Sequence, residues 1–347
     1  MNNRIQNRRQ QQRGRLFTIV VVVVILLIAA VLATMMWVSG RNGTSEARSD
    51  AESGAKGRTS SQTAEKSFIV YDGKKYVYND KLNNYLLLGV DTRGSIQEVK
   101  EPGKAGQSDS IFLISYDRVA ESTVGLAIPR DTITQIETFT PDGESTGFSA
   151  DHLTLQYAYG EGGRKSCELT SAAVSRLLSG LPINGYAAIN LDSIPKLTQL
   201  LGGVEVTVPD DSLTEKDPAF LKGNKVVLNE DNTELFVRSR DIKVEQSAIN
   251  RMNRQKVFLE SFADKLAREQ KKDASTVTKL FETMKPEMVT NMSNDIFVDI
   301  AMAKRIGGVQ TIPGETGHEG VYDVYRVDES ALYQMILELF YEEAKTE

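Results

Sequence analysis

The chain has 347 residues, and its 40% hydrophobic content excludes a disordered protein and supplies ample apolar side chains for a core. The formal charge of −6 is unevenly spread, because five arginines lie in the first fifteen residues and the rest of the chain carries −11. An acidic body argues against nonspecific nucleic-acid binding, which requires a basic surface. Cys167 is the single cysteine and only two histidines occur, so intrachain disulfides and histidine-rich zinc sites are excluded.

An uninterrupted apolar segment follows the arginines. Residues 16–38 contain no charged side chain over 23 positions, which is enough for a helix to cross a hydrocarbon core of about 30 Å. The arginines before it place the N-terminus in the cytoplasm by the positive-inside rule, and the bulk of the chain outside. A cleaved signal peptide has a shorter apolar region, of roughly 7 to 15 residues, so the length favours a retained single-pass anchor in the cell membrane.

The remaining chain divides into a tether and a folded part. Residues 39–66 are rich in Ser, Gly, Ala, Arg and Glu without an apolar period, which predicts a flexible linker. No linker-like composition interrupts residues 67–347, which indicates a single extracellular domain there. Residues 1–15 and 16–38 are the predicted cytoplasmic tail and transmembrane helix.

The first half of this domain alternates strands and helices. The Asp72-Gly73 pair predicts a hairpin turn between two strands, at 68–71 and 75–78. Near-continuous apolar runs predict strands covered on both faces at 85–90, 111–116 and 124–128. Helices are predicted at 151–159, where Asp151 is the expected cap, at 166–178, closed by Gly180, and at 192–201, with strands at 183–190 and 204–208. We expect Cys167 to be a buried residue of the second of these helices.

The second half is more helical. A short helix opened by Asn229 precedes helices predicted at 247–271, 276–284, 295–306 and 328–344, with edge strands at 309–312 and 321–327. The alternation of strands and helices over the whole domain indicates an α/β fold. We predict a three-layer αβα sandwich around a central mixed sheet, in addition to the one N-terminal transmembrane helix.

Charged residues collect where the predicted strands begin and end. Asp91 and Arg93 directly follow one strand, Asp109 precedes the next, and Arg130 and Asp131 close a third. Ligand-binding loops of open α/β sheets lie at such positions. Two carboxylates can share a magnesium ion with water and phosphate oxygens, and arginine forks grip phosphate oxygens in pairs. Each residue alone is equally typical of a solvated loop or a surface ion pair, but the set behind a membrane anchor indicates a site for a lipid-carried phosphate.

Further arginines come later in the chain. Arg238 and Arg240 form a two-pronged clamp if the backbone is extended at that point, and they diverge if it is still helical. Arg251 and Gln255 are four residues apart on one face of the predicted long helix, and Arg254 lies in the same turns. The alternative interpretation is that these arginines form a solvent-exposed face at the end of the helix and bind no ligand.

Seven segments, taken in order, resemble the LytR-CpsA-Psr family. They are LLLGVDTR (86–93), QSDS (107–110), AIPRD (127–131), INGYAAINLDSI (183–194), LGGVEVTVP (201–209), FVRSRD (236–241) and RMNRQ (251–255). The resemblance covers roughly residues 84–262, and the ordered set is specific although each piece is weak. A basic N-terminus, one anchor and an outward domain also match the layout of that family.

The resemblance implies a membrane-anchored, metal-dependent phosphotransferase with an extracellular catalytic domain. Such an enzyme moves a glycopolymer, such as teichoic acid or capsule polysaccharide, from a polyprenyl pyrophosphate carrier to peptidoglycan, with a pyrophosphatase side activity. Asp91 and Asp109 would hold Mg²⁺ (or Mn²⁺), and Asp91, Arg130 and Asp131 are the predicted catalytic residues, with Asp91 as the candidate base. The predicted pyrophosphate ligands are Arg93, Arg130, Arg238, Arg240, Arg251, Arg254 and Gln255.

One position departs from the family pattern. Gln107 stands where the family usually has an arginine before the Ser-Asp pair, which removes one positive charge from the site. Either Lys104 or Arg254 compensates, or pyrophosphate binding is weaker. A second hypothesis is therefore a non-catalytic regulator or scaffold of the cell envelope that binds polyprenyl-linked precursors. A third, a DNA-binding attenuator, conflicts with the acidic body.

Overall fold

The structure is a computed structural model that describes residues 68–94, 99, 101–240 and 247–344, without the side chains of residues 305 and 306. The predicted cytoplasmic tail, transmembrane helix and linker lie outside the described residues. Across the described ranges, no helix combines the length and the apolar composition that a bilayer crossing requires.

Strands and helices alternate along the described residues. The strands are β1 (Phe68–Tyr71), β2 (Lys74–Tyr78), β3 (Leu82–Val90), β4 (Ser108–Asp117), β5 (Ser122–Ala127), β6 (Ile133–Phe139), β7 (Ser145–His152), β8 (Gly185–Asn190), β9 (Val204–Thr207), β10 (Lys225–Leu228), β11 (Met288–Thr290), β12 (Arg305–Thr311), β13 (Gly314–Glu319), β14 (Tyr322–Val327) and β15 (Tyr341–Glu343). The α-helices are α1 (Leu155–Ala158), α2 (Arg164–Leu177), α3 (Ser193–Leu200), α4 (Thr233–Arg238), α5 (Ser247–Lys272), α6 (Thr276–Met284), α7 (Asn294–Ala301) and α8 (Glu329–Phe340).

A six-stranded mixed sheet forms the centre of the fold, in the order β11-β8-β3-β4-β5-β12. Strand β3 pairs parallel with β8 and antiparallel with β4, whereas β5 pairs antiparallel with β4 and parallel with the edge strand β12. The prediction of an α/β fold around a central mixed sheet is confirmed. The first predicted hairpin is also present, because Asp72 and Gly73 both adopt the positive φ that a tight hairpin turn requires.

The two faces of the sheet are packed differently. Side chains alternate along a strand, so Leu86, Leu88 and Val90 of β3 enter one face while Leu87 and Gly89 point to the other. The first face is a closed core shared with α2 and α8. The second face is covered by α3, α5, α6 and α7 and retains an apolar groove, which Leu87 and Gly89 line. The apolar runs that predicted these strands are therefore nearly continuous because both faces of the sheet are apolar. One face packs into the core, and the other lines the groove.

Helix α2 carries Cys167 as predicted. Its thiol is completely buried, and burial raises the pKa of Cys167 to about 12. A thiol in this environment stays protonated at neutral pH, which makes it a packing residue of the core.

Three predicted helices are shorter in the structure. The helix predicted at 151–159 is confined to α1, because Asp151 and His152 end β7 and pair with β6. The Asp151 carboxylate accepts a hydrogen bond from the backbone N–H of His152 at 2.7 Å and does not cap a helix. The sequence did not predict the hairpin of β6 and β7, because β6 is mostly half-buried, β7 is mostly exposed, and neither strand has an apolar period.

The other two corrections lie near the C-terminal end. The helix predicted at 295–306 stops at Ala301, because the chain turns into β12 and pairs with β5. The helix predicted at 328–344 ends at Phe340, where β15 begins and pairs with β2. In both places a strand partner far away in sequence decides the boundary, and local helix propensity does not.

Adjacent residues of β3 test the difference between the two faces. We expect Leu88→Ala to reduce the free energy of unfolding by about 2–5 kcal/mol, because Leu88 is 2% exposed within the core. Leu87→Ala is the matched control and should cost far less, since it enlarges a groove that already exists. Urea unfolding followed by circular dichroism measures both. Equal losses for the two variants would contradict the assignment of the faces.

Candidate active site

A carboxylate and two guanidinium groups meet where three distant segments converge. Asp109 lies near the start of β4, Arg130 follows β5, and Arg251 lies in the second turn of α5. One oxygen of Asp109 accepts a hydrogen bond from Arg130, and the other accepts from Nη1 of Arg251 at 3.3 Å. The Asp109 side chain is 19% exposed and that of Arg251 only 6%. Asp109 therefore holds two cations at the edge of the protein interior.

Both guanidinium groups retain unused donors. The Nε atoms of Arg130 and Arg251 are buried and have no hydrogen-bond partner among the described residues. Burial lowers the pKa of Arg251 to about 10, against the opposing attraction of Asp109. Burial also disfavours the charge of Arg130, but Asp109 and Asp131 raise its pKa overall. Buried, incompletely paired cations are costly, and an anionic ligand would relieve that cost.

Asp131 is the second buried carboxyl group of this cluster. It is 8% exposed, and its Oδ1 lies 3.2 Å from Nε of Arg130. Burial raises the pKa of Asp131, although Arg130, Arg240 and Arg251 act in the opposite direction. Its backbone oxygen accepts from the N–H of Tyr325 at 2.8 Å, which attaches the end of β5 to β14.

Asp91 lies beside this cluster at the end of β3. Its Oδ1 accepts from the backbone N–H of Gln107 at 2.6 Å, and its own N–H donates to the Gln107 oxygen at 3.1 Å. Asp91 contributes to the raised pKa of Arg130, which places it within electrostatic reach of that guanidinium. Asp91 and Asp109, on neighbouring strands, thus both favour the charge of Arg130.

The two carboxylates are compatible with one kind of metal site. In the part of the chain that the structure describes, no group of three or more His, Cys, Asp or Glu side chains could enclose a metal ion. Mg²⁺ is usually bound by one or two carboxylates, with water and phosphate oxygens as the other ligands. The residues present therefore fit a cation that arrives with a phosphorylated ligand, and they do not fit a closed protein cage.

The hairpin of β13 and β14 forms the opposite wall of the cleft. Thr316, His318 and Asp323 line it together with Asp109 and Arg130. We define the charged cleft as the space between this hairpin, the ends of β4 and β5, and the start of α5. Sequence reasoning did not select Thr316, His318 or Asp323, because only the edge-strand pattern marked this region.

Arg238 and Arg240 diverge, so the helical alternative of the sequence analysis applies. Helix α4 continues to Arg238, whose Nη1 donates to Glu234 at 3.2 Å and whose side chain lines the apolar groove. Arg240 lies beyond the helix, with its Nη1 3.5 Å from Oδ2 of Asp323 in the charged cleft. The two-pronged clamp is therefore absent.

Arg93 belongs to a separate ion-pair cluster. Its guanidinium donates to Asp192 at 2.6 Å and also to Glu234, which in turn binds Arg238. We call these four residues the Glu234 cluster. More than half of the Arg93 side chain is exposed, so the individual pairs contribute little to stability. The cluster keeps two of the predicted phosphate ligands paired with carboxylates.

Arg254 points into the interior, away from the wall of the cleft. It is 1% exposed, and its guanidinium donates to the backbone oxygens of Phe236 and Ser239 and to the hydroxyl of Ser212. These bonds attach α5 to the end of α4 and the segment beyond it. The geometry supports a structural role for Arg254 and offers no compensation for Gln107 from this side chain.

The apolar groove begins where the charged cleft ends. Its volume is about 340 Å³, and its walls include Leu87, Phe112, Phe258, Phe262 and Phe297. Two glycines on the floor of the groove leave no room for a larger residue. A methyl group on Gly125 would lie 2.9 Å from the Val309 side chain, and one on Gly89 would lie 3.1 Å from Ser110. Four residues line both spaces: Asp109, Ser110, Arg251 and Gln255.

The fold and the site together define an α/β protein whose arginine-lined cleft opens into an apolar groove. The sequence pattern of the LytR_cpsA_psr family matches residues 35–340, which is most of the chain, and the chain belongs to this family. The predicted family resemblance is thereby confirmed.

Relatives with assigned names are teichoic acid transferases. A polyisoprenyl-teichoic acid–peptidoglycan teichoic acid transferase TagU of Bacillus licheniformis is 26% identical over 262 residues, 73% of this chain and 76% of the relative. TagV of Bacillus subtilis is 26% identical over 53% of this chain and 44% of its own length. TagU of Bacillus cereus strain AH820 is 32% identical over 45% of this chain and 43% of its own length. The matched region therefore spans less than half the length of the last two relatives.

Solved structures share the fold. The protein gbs0355 of Streptococcus agalactiae superposes with a TM-score of 0.59 at 19% identity, over 77% of this chain and 91% of that chain. A structure described as TagT bound to LI-WTA gives 0.56 at 22% identity, over 75% of this chain and 90% of that chain. At these identities the likeness extends to the architecture alone.

The structural role of Arg254 can be tested against an exposed arginine. We expect Arg254→Met to lower the free energy of unfolding by about 3 kcal/mol, because it leaves buried oxygens without donors. Arg164→Met is the matched control on α2 and should leave stability unchanged, since Arg164 forms only an exposed pair with Glu168. Urea unfolding measures both variants. A fully stable Arg254→Met protein would refute the structural role.

Proposed function

We propose that this protein is a glycopolymer transferase that uses a polyprenyl pyrophosphate-linked polymer as donor and peptidoglycan as acceptor. The observation that carries the proposal is the continuity between the charged cleft and the apolar groove through Asp109, Ser110, Arg251 and Gln255. A single ligand with an anionic head and an apolar tail matches both spaces. The names of the relatives, polyisoprenyl-teichoic acid–peptidoglycan teichoic acid transferases, support the same substrate class.

Arginines of the cleft would bind the pyrophosphate. A pyrophosphate diester carries about two negative charges near neutral pH, and desolvated guanidinium groups pair with such oxygens strongly. The buried Nε donors of Arg130 and Arg251 would gain partners, and Arg240 would add charge from the side of Asp323. Asp109 orients Arg130 and Arg251, so the donors are already in place when charge develops on the leaving phosphate.

Asp91 and Asp109 are the proposed ligands of Mg²⁺ or Mn²⁺. Both carboxylates act electrostatically on Arg130, which suits a cation that would share phosphate oxygens with the arginines. When bound, the metal ion would supply further neutralisation of the pyrophosphate charge. Asp131 would contribute by balancing the positive charge of Arg130 and Arg240 from within the protein.

The Glu234 cluster is a proposed second contact for the polymer-bearing end of the donor. Arg238 lines the groove, and Arg93 is connected to it through their shared partner Glu234, while Asp192 holds Arg93 from the other side. Their predicted role as pyrophosphate ligands requires a ligand oxygen to displace these carboxylates. Because the pairs are exposed, their exchange would cost little.

The membrane anchor is also part of the proposal. Residues 16–38 have the length and composition of a transmembrane helix, and the arginines before it would keep the N-terminus in the cytoplasm. A domain tethered outside the membrane in this way would meet both a lipid-borne donor and the cell wall. The apolar groove would accept the polyprenyl chain from the bilayer.

Arginine substitutions in the cleft test the proposal. We expect Arg251→Ala and Arg130→Ala to lower the rate of polymer transfer from a polyprenyl pyrophosphate carrier by at least about 100-fold, as for the loss of a donor to a developing oxyanion. Arg164→Ala, at an exposed position on α2, is the matched control. Tight binding of the donor by the wild-type protein without any turnover would favour the alternative, a regulator or scaffold of the cell envelope.

A bulky residue in the groove tests where the lipid binds. Ala263 lies on the groove wall in α5, and Ala263→Trp should weaken binding of a long polyprenyl pyrophosphate by at least about tenfold while geranyl pyrophosphate still binds. Ala172→Trp places the same side chain on the exposed surface of α2 and serves as the control. Isothermal titration calorimetry measures both lipids. Equal loss for the short and the long lipid would contradict binding of the tail in this groove.

A further inference from the structure

Four residues form the boundary between the charged cleft and the apolar groove: Asp109, Ser110, Arg251 and Gln255. Three of them already use polar atoms within the protein. Asp109 and Arg251 bind each other, and Nε2 of Gln255 donates to the backbone oxygen of Val237 at 3.0 Å. Ser110 differs, because its hydroxyl forms no hydrogen bond with any residue that the structure describes. An unengaged donor therefore lies where the two spaces meet.

The side chain of Ser110 points into the groove. Ser110 pairs with Gly89 across β3 and β4, and cross-strand partners lie on the same face of a sheet. Gly89 belongs to the groove face together with Leu87. A methyl group on Gly89 would lie 3.2 Å from Oγ of Ser110, so the glycine leaves the space in front of this hydroxyl open.

The proposed donor would place a particular group beside this hydroxyl. Its tail would lie in the groove and its pyrophosphate in the cleft, so the phosphate bonded to the polyprenyl chain would lie at the boundary. Arg251 provides charge on the cleft side of this boundary, and Ser110 provides a neutral hydroxyl on the groove side. Hydrogen bonds from a hydroxyl to an anionic oxygen are short and strong. Ser110 can thus contact this phosphate without adding charge to an apolar groove.

We propose that Ser110 is a catalytic residue of the transfer reaction, whose hydroxyl donates a hydrogen bond to the phosphate bonded to the polyprenyl chain. The inference rests on the proposed function. The acceptor oxygen forms a bond to the phosphorus that carries the polymer, and its proton passes to Asp91, the base expected from the sequence, and then to water. The bond from this phosphorus to the bridging oxygen breaks, and its electron pair leaves with polyprenyl phosphate.

The hydrogen bond from Ser110 is strongest in the transition state. Breakage of the bridging bond adds negative charge to polyprenyl phosphate, which is the group that Ser110 contacts. A donor fixed beside a developing charge lowers the barrier more than it stabilises the bound donor substrate. Pairing between β3 and β4 holds Ser110 on a strand of the central sheet, so this donor is in place before the reaction begins.

The test uses the full-length protein in detergent, with a polyprenyl pyrophosphate-linked oligosaccharide as donor and a peptidoglycan fragment as acceptor. We expect Ser110→Ala to lower kcat for transfer by at least about tenfold. In calorimetry, the variant should bind farnesyl phosphate, a short mimic of the leaving group, about tenfold more weakly than the wild type. Its affinity for uncharged farnesol should be unchanged, because farnesol has no phosphate for the hydroxyl to contact.

A second serine of the same strand provides the matched control. Ser115 lies on β4 but on the opposite face from Ser110, and its buried hydroxyl also has no partner among the described residues. Ser115→Ala should therefore leave kcat and both affinities unchanged. Urea unfolding should give the same stability for Ser110→Ala as for the wild type, since the substitution removes no hydrogen bond of the free protein.

The outcomes separate two failures. A wild-type protein that binds the donor and transfers nothing would overturn the proposed function and this inference with it. An active wild-type protein whose Ser110→Ala variant keeps its kcat would overturn the catalytic role of Ser110 alone. Equal losses of affinity for farnesyl phosphate and farnesol would assign Ser110 to the shape of the groove, and unchanged affinity for farnesyl phosphate would exclude contact with this phosphate. Either result also overturns the role.

Discussion

The pairing of one carboxylate with two buried arginines is the constraint on which the site depends. Without Asp109, Arg130 and Arg251 would face each other at the edge of an apolar interior, where like charges repel strongly. Asp109 makes their proximity tolerable but does not satisfy every donor. Among the described residues, Nε of Arg251 has no hydrogen-bond partner, and Nε of Arg130 has only an ion-pair contact with Asp131 at 3.2 Å. Additional anionic oxygens would therefore stabilise the two buried guanidinium groups. This stabilisation explains why a phosphate-bearing ligand suits the cleft better than a neutral one.

The central sheet brings this charged cluster next to an apolar space. Strands β3, β4 and β5 put one set of side chains into a closed core and leave the alternate set facing a groove. Their ends carry Asp91, Asp109 and Arg130 at the same edge of the sheet. The arginine-lined cleft and the apolar groove are therefore consequences of one pleated sheet and the edge at which its strands end.

Local signals in the sequence predicted much of the fold. The Asp72-Gly73 turn, the apolar strand runs and helix α6 follow from chemistry within a few residues, and the structure has them. The predicted boundaries of helices were wrong where a strand pairs with a partner that is distant or unrecognised in the sequence. Asp151, for example, belongs to β7 and not to a helix, because β7 pairs with β6. Exposed polar strands of this kind have no apolar period to reveal them.

The site was predictable in part for the same reason. Asp109, Arg130 and Arg251 could be selected because strand ends and helix faces are visible in the sequence. Arg254, three residues after Arg251, lies in the interior because the packing of α5 on α4 fixes its rotation, and no local pattern encodes that rotation. His318 and Asp323 were missed because a two-stranded hairpin from late in the chain contributes them, and their neighbours in sequence suggest only an edge strand.

The two glycines on the floor of the groove give the fold a simple means of adjustment. Gly89 and Gly125 have no side chains, which leaves the groove deeper at these two positions. A methyl group on Gly89 would contact Ser110, and one on Gly125 would contact Val309. Neither position lies among the arginines of the cleft. A single substitution at either position would therefore narrow the groove, and under the proposed function it would restrict the isoprenoid that fits while leaving the phosphate-binding arginines unchanged.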